Sequence, residues 1–200
     1  MVQTPSTMLQ IGTPAPDFHL PEPASGRTWT LGDFHGDALV VMFICNHCPF
    51  VIHVQAEITK LTREYAERGV SFVAINSNSA ESHPQDGPEH MAELARDLKW
   101  TFPFLFDDTQ AVARAYHAAC TPDFFVFDKA RRLYYRGQLD DSRPSNGKPV
   151  TGADLRAALD AALAGRPSPD PQRPSIGCNI KWKPGQEPDY FTTFLASKKA

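Results

Sequence analysis

Ala38-Leu39-Val40-Val41-Met42-Phe43-Ile44 runs directly into Cys45-Asn46-His47-Cys48-Pro49-Phe50. The first seven residues are short and almost purely apolar, which is how a strand buried on both faces reads. From Pro49 to Arg68 the period changes. Val51, Val54, Ile58, Leu61 and Tyr65 recur at three and four residues and mark one apolar stripe of a helix. Gly69 ends it, and Val70 to Ile75 reads as a second strand. A buried strand, a helix and another strand in succession argue for a parallel βαβ unit.

Working outward, Ser77 to Pro88 is a polar loop rich in Ser, Pro and Gly, and Glu89 to Leu98 is a second helix. Phe102 to Phe106 is a short extended piece and Thr109 to Ala118 a short helix. Phe124 to Phe127 and Leu133 to Arg136 flank the turn Asp128-Lys129-Ala130-Arg131 and add an antiparallel pair. Thr151 to Ala164 is a helix rich in Ala and Leu. Upstream, the stretch from Pro14 to Leu20 and the alternating Arg27 to Leu31, with Gly26 as turn signal, form a hairpin. The expected class is α/β, a mixed central β-sheet flanked by helices. Residues 1–13 read as a flexible arm, 14–164 as the domain and 165–200 as an extended, Pro-rich tail. That tail holds six of the 18 prolines. Its Ile180, Trp182, Tyr190, Phe191 and Phe194 are expected to dock it on the domain, because burying such side chains is worth roughly 1.5–3 kcal/mol each.

A chain of 200 residues with 42% apolar and 22% charged residues has room for a real core. A net charge of −3 argues against nucleic acid or an acidic membrane surface as partner. Met1 to Ile11 lacks a basic and an apolar leader region, so a cytoplasmic location is expected. Four cysteines are too few for a disulfide scaffold, and two of them lie three apart, which reads as redox or metal chemistry. Zinc would need two more ligands, for which His47, Cys120 and Cys178 are available, but no second CxxC or HxxxH spacing exists. The redox reading therefore leads, with no metal and no organic cofactor.

Cysteines three apart at a helix start share one face, with Cα atoms within the roughly 4.4–6.8 Å a disulfide needs. The helix N-terminus favours a thiolate, and a protonated His47 between the two thiols would favour it further. Cys45 is thus expected to carry a depressed pKa.

The motifs Ala15-Pro16-Asp17-Phe18-His19-Leu20, Leu31-Gly32-Asp33-Phe34-His35-Gly36, Cys45-Asn46-His47-Cys48-Pro49-Phe50 and Thr121-Pro122 followed by Phe124-Phe125-Val126-Phe127-Asp128 resemble the AhpC/TSA (redoxin) branch of the thioredoxin-like superfamily. The likeness spans about residues 14–163. The nearest likeness is to peroxiredoxin-like thioredoxin proteins with a C-terminal Gly177-Cys178-Asn179-Ile180-Lys181-Trp182 segment. It implies a thioredoxin fold, with Cys45 as exposed nucleophile, Cys48 as resolving thiol and Pro122 as a cis-proline facing them. Clients would be protein or small-molecule disulfides, and electrons would pass through a partner dithiol. Cys-X-His-Cys also resembles the motif of disulfide isomerases and periplasmic oxidants.

The departures from the family pattern are specific. Leu39 occupies the place of the buried acid of thioredoxins. Val41 and Cys45 stand where peroxiredoxins have proline and threonine, and the strand Phe124 to Asp128 holds no arginine. Thiol–disulfide exchange therefore leads. A thiol-dependent peroxidase with an antioxidant role is the alternative, and a non-catalytic metal-binding or adaptor domain comes third. Cys120 lies two residues before Pro122, in a loop the resemblance places opposite the CxxC. Taken alone it reads more as a small buried hydrophobe than as a reactive group. With Cys178 brought in by the tail, the two form a candidate second redox pair.

Overall fold

The computed structural model describes residues 3–197, with side chains through Thr193. Strands β1 (Gln3–Pro5), β2 (His19–Pro21), β3 (Thr28–Thr30) and β4 (Ala38–Phe43) precede helix α1 (Pro49–Ala66). Next come β5 (Val70–Asn76), α2 (Pro88–Asp97), β6 (Phe104–Phe106), α3 (Ala111–Ala115), β7 (Cys120–Thr121), β8 (Asp123–Phe127), β9 (Leu133–Gly137), α4 (Ala153–Leu163), β10 (Ile176–Asn179) and α5 (Asp189–Ser197). The central sheet has the order β6-β5-β4-β8-β9, with β4, β5 and β6 parallel and β8 and β9 antiparallel. This is the expected mixed sheet, and β2 pairs with β3 as the expected hairpin.

All six residues of β4 are buried, because the strand is covered on both faces. Its alternate side chains feed two cores. Val40 and Met42 pack with Val51, Ile58 and Leu61 of α1 and Leu155 and Leu159 of α4. Leu39, Val41 and Phe43 pack with Phe18, Phe34, Tyr116 and Phe125 on the other side. The apolar stripe of α1 is the buried one: Val51, Val54, Ile58, Leu61 and Tyr65 all face inward. Among the described residues no helix is long and apolar enough to cross a membrane.

Three stretches differ from their sequence reading. The arm is not loose throughout, since β1 pairs with β10 and Thr4 and Ser6 are buried. The polar loop after β5 is buried at its two ends and exposed between them: Ser77, Asn78, Ser79 and Asp86 lie inside, held by side-chain hydrogen bonds such as Ser77 Oγ to Asp107 at 2.8 Å, while Glu81, Ser82, Pro84 and Gln85 are exposed. The tail is not extended throughout. It adds β10 between β1 and β7 and forms α5, and its Ile180, Trp182 and Phe191 enter the second core with Tyr190 packed beside them. The Phe194 side chain lies outside those described.

Candidate active site

Ile44 continues β4 by donating its N–H to Ile75 at 3.1 Å, and the chain then turns through Cys45 to Cys48 into α1. Cys48 is the N-cap of that helix and Pro49 its first residue, where a missing N–H costs nothing. The partial positive charge of the helix start therefore falls on Cys48 rather than Cys45.

One carboxylate organises the turn. Asp86, in the short 3-10 turn Pro84–Asp86, is fully buried and accepts four N–H bonds. Its Oδ1 takes the backbone amides of Asn46 and His47 at 2.9 and 3.2 Å. Its Oδ2 takes His47 Nδ1 at 2.6 Å and Asn78 Nδ2 at 2.8 Å. Burial alone would raise this carboxyl, but the His47, Asn78 and backbone donors outweigh it and hold the pKa below its ordinary value. The same contact fixes the proton of His47 on Nδ1, and the His83 ring stacks on that of His47 with centroids 5.1 Å apart. Leu39 leaves no acid in the strand before the motif. The buried acid comes instead from the loop after β5.

The opposite wall is β7. The Thr121–Pro122 bond is cis; Thr121 Oγ1 lies 3.5 Å from Cys45 Sγ, and its carbonyl accepts the Cys48 thiol at 3.2 Å. Strand β10 lies beside β7 with Cys178 opposite Thr121 and Asn179 opposite Cys120. Side chains alternate faces along a strand, so Cys178 shares the Thr121 face while Cys120 shares the other. Cys178 accordingly packs into the buried cluster that holds Cys45 and Cys48, where the Cys178 and Cys48 thiols bear on each other's ionisation. Cys120 instead lies 3.7 Å from the Pro122 carbonyl. The two cysteines expected to pair thus lie on opposite faces of one ladder, and Cys178 faces the CxxC.

This geometry distributes protons unlike the sequence expectation. Cys48 Sγ sits beside the thiols of Cys178 and Cys45 and the Thr121 side chain. Together they outweigh burial and lower its pKa. Cys45 is pushed up, because Cys48 is its neighbour, because it is buried, and because the Asp86 carboxylate is near. Cys45 is only 1% exposed and Cys48 0%. The expected exposed, low-pKa Cys45 is therefore corrected: the favoured thiolate of the reduced site is Cys48. Burial pushes the Cys120 thiol up as well, with the nearby Asp123 adding to it.

Cys45, His47 and Asp86 offer ligand atoms within 4.8 Å of one another, enough for three corners of a metal site. Both Asp86 oxygens already take two N–H donors each, which is the chemistry of an anchored turn rather than of a cation ligand.

The AhpC/TSA family model matches residues 11–136, well over half of the chain. The chain belongs to the AhpC/TSA family. A thiol-disulfide oxidoreductase ResA of Geobacillus thermodenitrificans (strain NG80-2) is 29% identical over 126 residues, covering 63% of this chain and 68% of that protein. The crystal structure of an uncharacterized conserved protein from Geobacillus kaustophilus is 57% identical, covers 92% of this chain and 98% of its own, and superposes with a TM-score of 0.91. A thiol:disulfide interchange protein of the thioredoxin family from Chlorobium tepidum TLS shares the fold, with a TM-score of 0.59 at 19% identity over 77% of this chain and 98% of that one. The architecture of this AhpC/TSA chain is a thioredoxin fold.

Asp86 and Asn78 escaped sequence reasoning, and Thr121 was read only as the residue before Pro122. Nothing local marks Asp86, since Ser77 to Pro88 has the composition of a solvated loop. Only the fold brings it under the Asn46 and His47 amides.

Proposed function

We infer that the chain is a thiol–disulfide oxidoreductase whose working couple is Cys45/Cys48 and whose favoured direction is oxidation of a client dithiol. One observation carries the direction: Cys48 is the N-cap of α1 with the thiols of Cys45 and Cys178 clustered about it, surroundings that lower its pKa. Whatever stabilises that thiolate stabilises the reduced protein, which makes the disulfide a stronger oxidant. A client thiolate attacks Cys45 Sγ, the Cys45–Cys48 bond breaks, and Cys48 leaves as the stabilised thiolate. A second client thiolate then attacks the client sulfur of the mixed disulfide and releases Cys45. The client leaves with a disulfide and the protein with two thiols. Asn46 and His47 are the part-exposed residues of the turn, so approach to Cys45 runs past them. In the cytoplasm, the location we propose, a partner disulfide must re-oxidise the couple.

The curated relative named a thiol-disulfide oxidoreductase supports the reaction class. The peroxidase alternative has less behind it, because β8 holds no arginine to polarise a peroxide and both thiols are buried. Equilibration of the Cys45/Cys48 couple against glutathione tests the direction. A potential clearly above the roughly −270 mV of thioredoxin is expected. A potential at or below that value assigns the protein to the reductants.

A further inference from the structure

Thiol–disulfide exchange requires three sulfurs, the attacked one between the attacking and the leaving one. The reduced site already holds such an array. Cys45, Cys48 and Cys178 lie in one buried cluster, and Cys178 stands opposite Thr121, the residue that meets the sulfurs of both Cys45 and Cys48 at 3.5 and 3.2 Å. Cys178 is not a thiol on a loose tail. It sits in the middle strand of the β1-β10-β7 ladder, opposite Gln3 on one side and Thr121 on the other. The preceding residue must be glycine for this approach, since a Cβ on Gly177 would lie 2.0 Å from the Thr121 carbonyl oxygen. The close fit of β10 against the cis-proline strand places a third sulfur at the one already in the redox couple. The exchange between client and Cys45/Cys48 uses Cys178 only as a neighbour that favours the Cys48 thiolate, never as a nucleophile.

We propose that Cys178 is a third redox thiol of this site, which exchanges with the Cys45–Cys48 disulfide at Cys48 Sγ. The proposal rests on the oxidoreductase reading, because it starts from that disulfide. The Cys178 thiolate attacks Cys48 Sγ, a Cys48–Cys178 bond forms, and the Cys45–Cys48 bond breaks. Cys45 leaves as a thiolate and takes up the proton that Cys178 lost. One disulfide replaces another, so no outside oxidant or reductant takes part. In the reduced site the neighbouring Cys48 holds Cys178 protonated. Oxidation of Cys48 removes that cause; burial still disfavours the Cys178 thiolate, and the nearby Lys181 ammonium favours it. The oxidised protein thereby has two forms. In one Cys45 is locked in the disulfide. In the other the oxidising equivalents are stored between Cys48 and Cys178, and Cys45 is a thiol able to attack a client disulfide.

The full chain, treated with diamide, acid-quenched, alkylated and digested without reductant, decides this. Wild type is expected to yield both Cys45–Cys48 and Cys48–Cys178 linked peptides, with Cys45 alkylated in the same fraction of oxidised chains that carries Cys48–Cys178. Cys45→Ala is expected to form Cys48–Cys178 in most chains, and Cys45→Ala/Cys178→Ala to form no intramolecular disulfide. The proposal is overturned if oxidised wild type shows only Cys45–Cys48 with Cys178 always alkylated. It is equally overturned if Cys45→Ala leaves both Cys48 and Cys178 as thiols. The wild-type measurement stands even where the variant folds poorly. Exchange of wild type with a model dithiol is scored separately. Its absence beside an intact Cys48–Cys178 link defeats the oxidoreductase reading, and its presence without that link defeats only the third thiol.

Discussion

Replacing Asp86 by asparagine tests whether one buried carboxylate holds the redox turn together. In the native site its two oxygens accept four N–H donors, two from the backbone of Asn46 and His47 and two from the side chains of His47 and Asn78. Asparagine keeps one oxygen. If that oxygen stays under the backbone amides, its NH2 group faces two other donors, and both bonds on that side are lost. A hydrogen bond to a charged partner is worth about 1.5–3 kcal/mol, so the gross loss is about 3–6 kcal/mol. Part of this is offset because a charge no longer has to be buried. The expected net loss is about 2–4 kcal/mol at pH 7, within the range seen when a buried polar network is broken. The sign with pH follows from the depressed pKa of Asp86. Its contribution is fully present above the unfolded value of 3.8 and is lost as pH falls through the still lower folded value. Urea unfolding of both proteins at pH 7 and near pH 3 reads this out. The difference between them should shrink at the lower pH, where the wild-type carboxyl begins to protonate. A variant within about 0.5 kcal/mol of wild type at pH 7, or a difference unchanged at pH 3, refutes the role given to Asp86.

Three further outcomes are expected. Cys178→Ala removes the leading neighbour that favours the Cys48 thiolate, so the thiolate absorbance of the reduced protein should titrate about one unit higher, equal to about 1.4 kcal/mol; an unchanged midpoint contradicts the contact. Gly177→Ala places a Cβ 2.0 Å from the Thr121 carbonyl oxygen and should push β10 off β7, which raises the alkylation rate of Cys178; a rate equal to that of wild type contradicts the tight register. Phe125→Ala empties a site where the ring meets Phe43 and Tyr116 edge-on, each at 5.8 Å, and should cost about 3–5 kcal/mol in chemical unfolding, with a loss below about 1 kcal/mol showing that the second core does not depend on it.

The sequence by itself determined the central architecture and the candidate redox pair Cys45 and Cys48, because both are written in local signals. A run with every residue apolar has one stable place, inside a sheet covered on both faces, and Ala38 to Phe43 is there. A 3.6-residue stripe has one face to bury, and α1 buries it. Two cysteines three apart at a helix start are adjacent whatever the rest of the chain does. Which sulfur is the thiolate was not a local matter. It depends on where the helix begins, on a carboxylate 40 residues away in a loop that reads as solvated, and on a thiol 130 residues away in a strand that reads as tail. Asp86 carries no periodic or compositional mark, since a buried polar loop and an exposed one have the same residue types and differ only in what packs over them. The partner of Cys178 was decided by strand register. A shift of one residue exchanges the two faces, and the register of β10 on β7 sets Cys178 beside Thr121 and the CxxC while Cys120 turns to the other side.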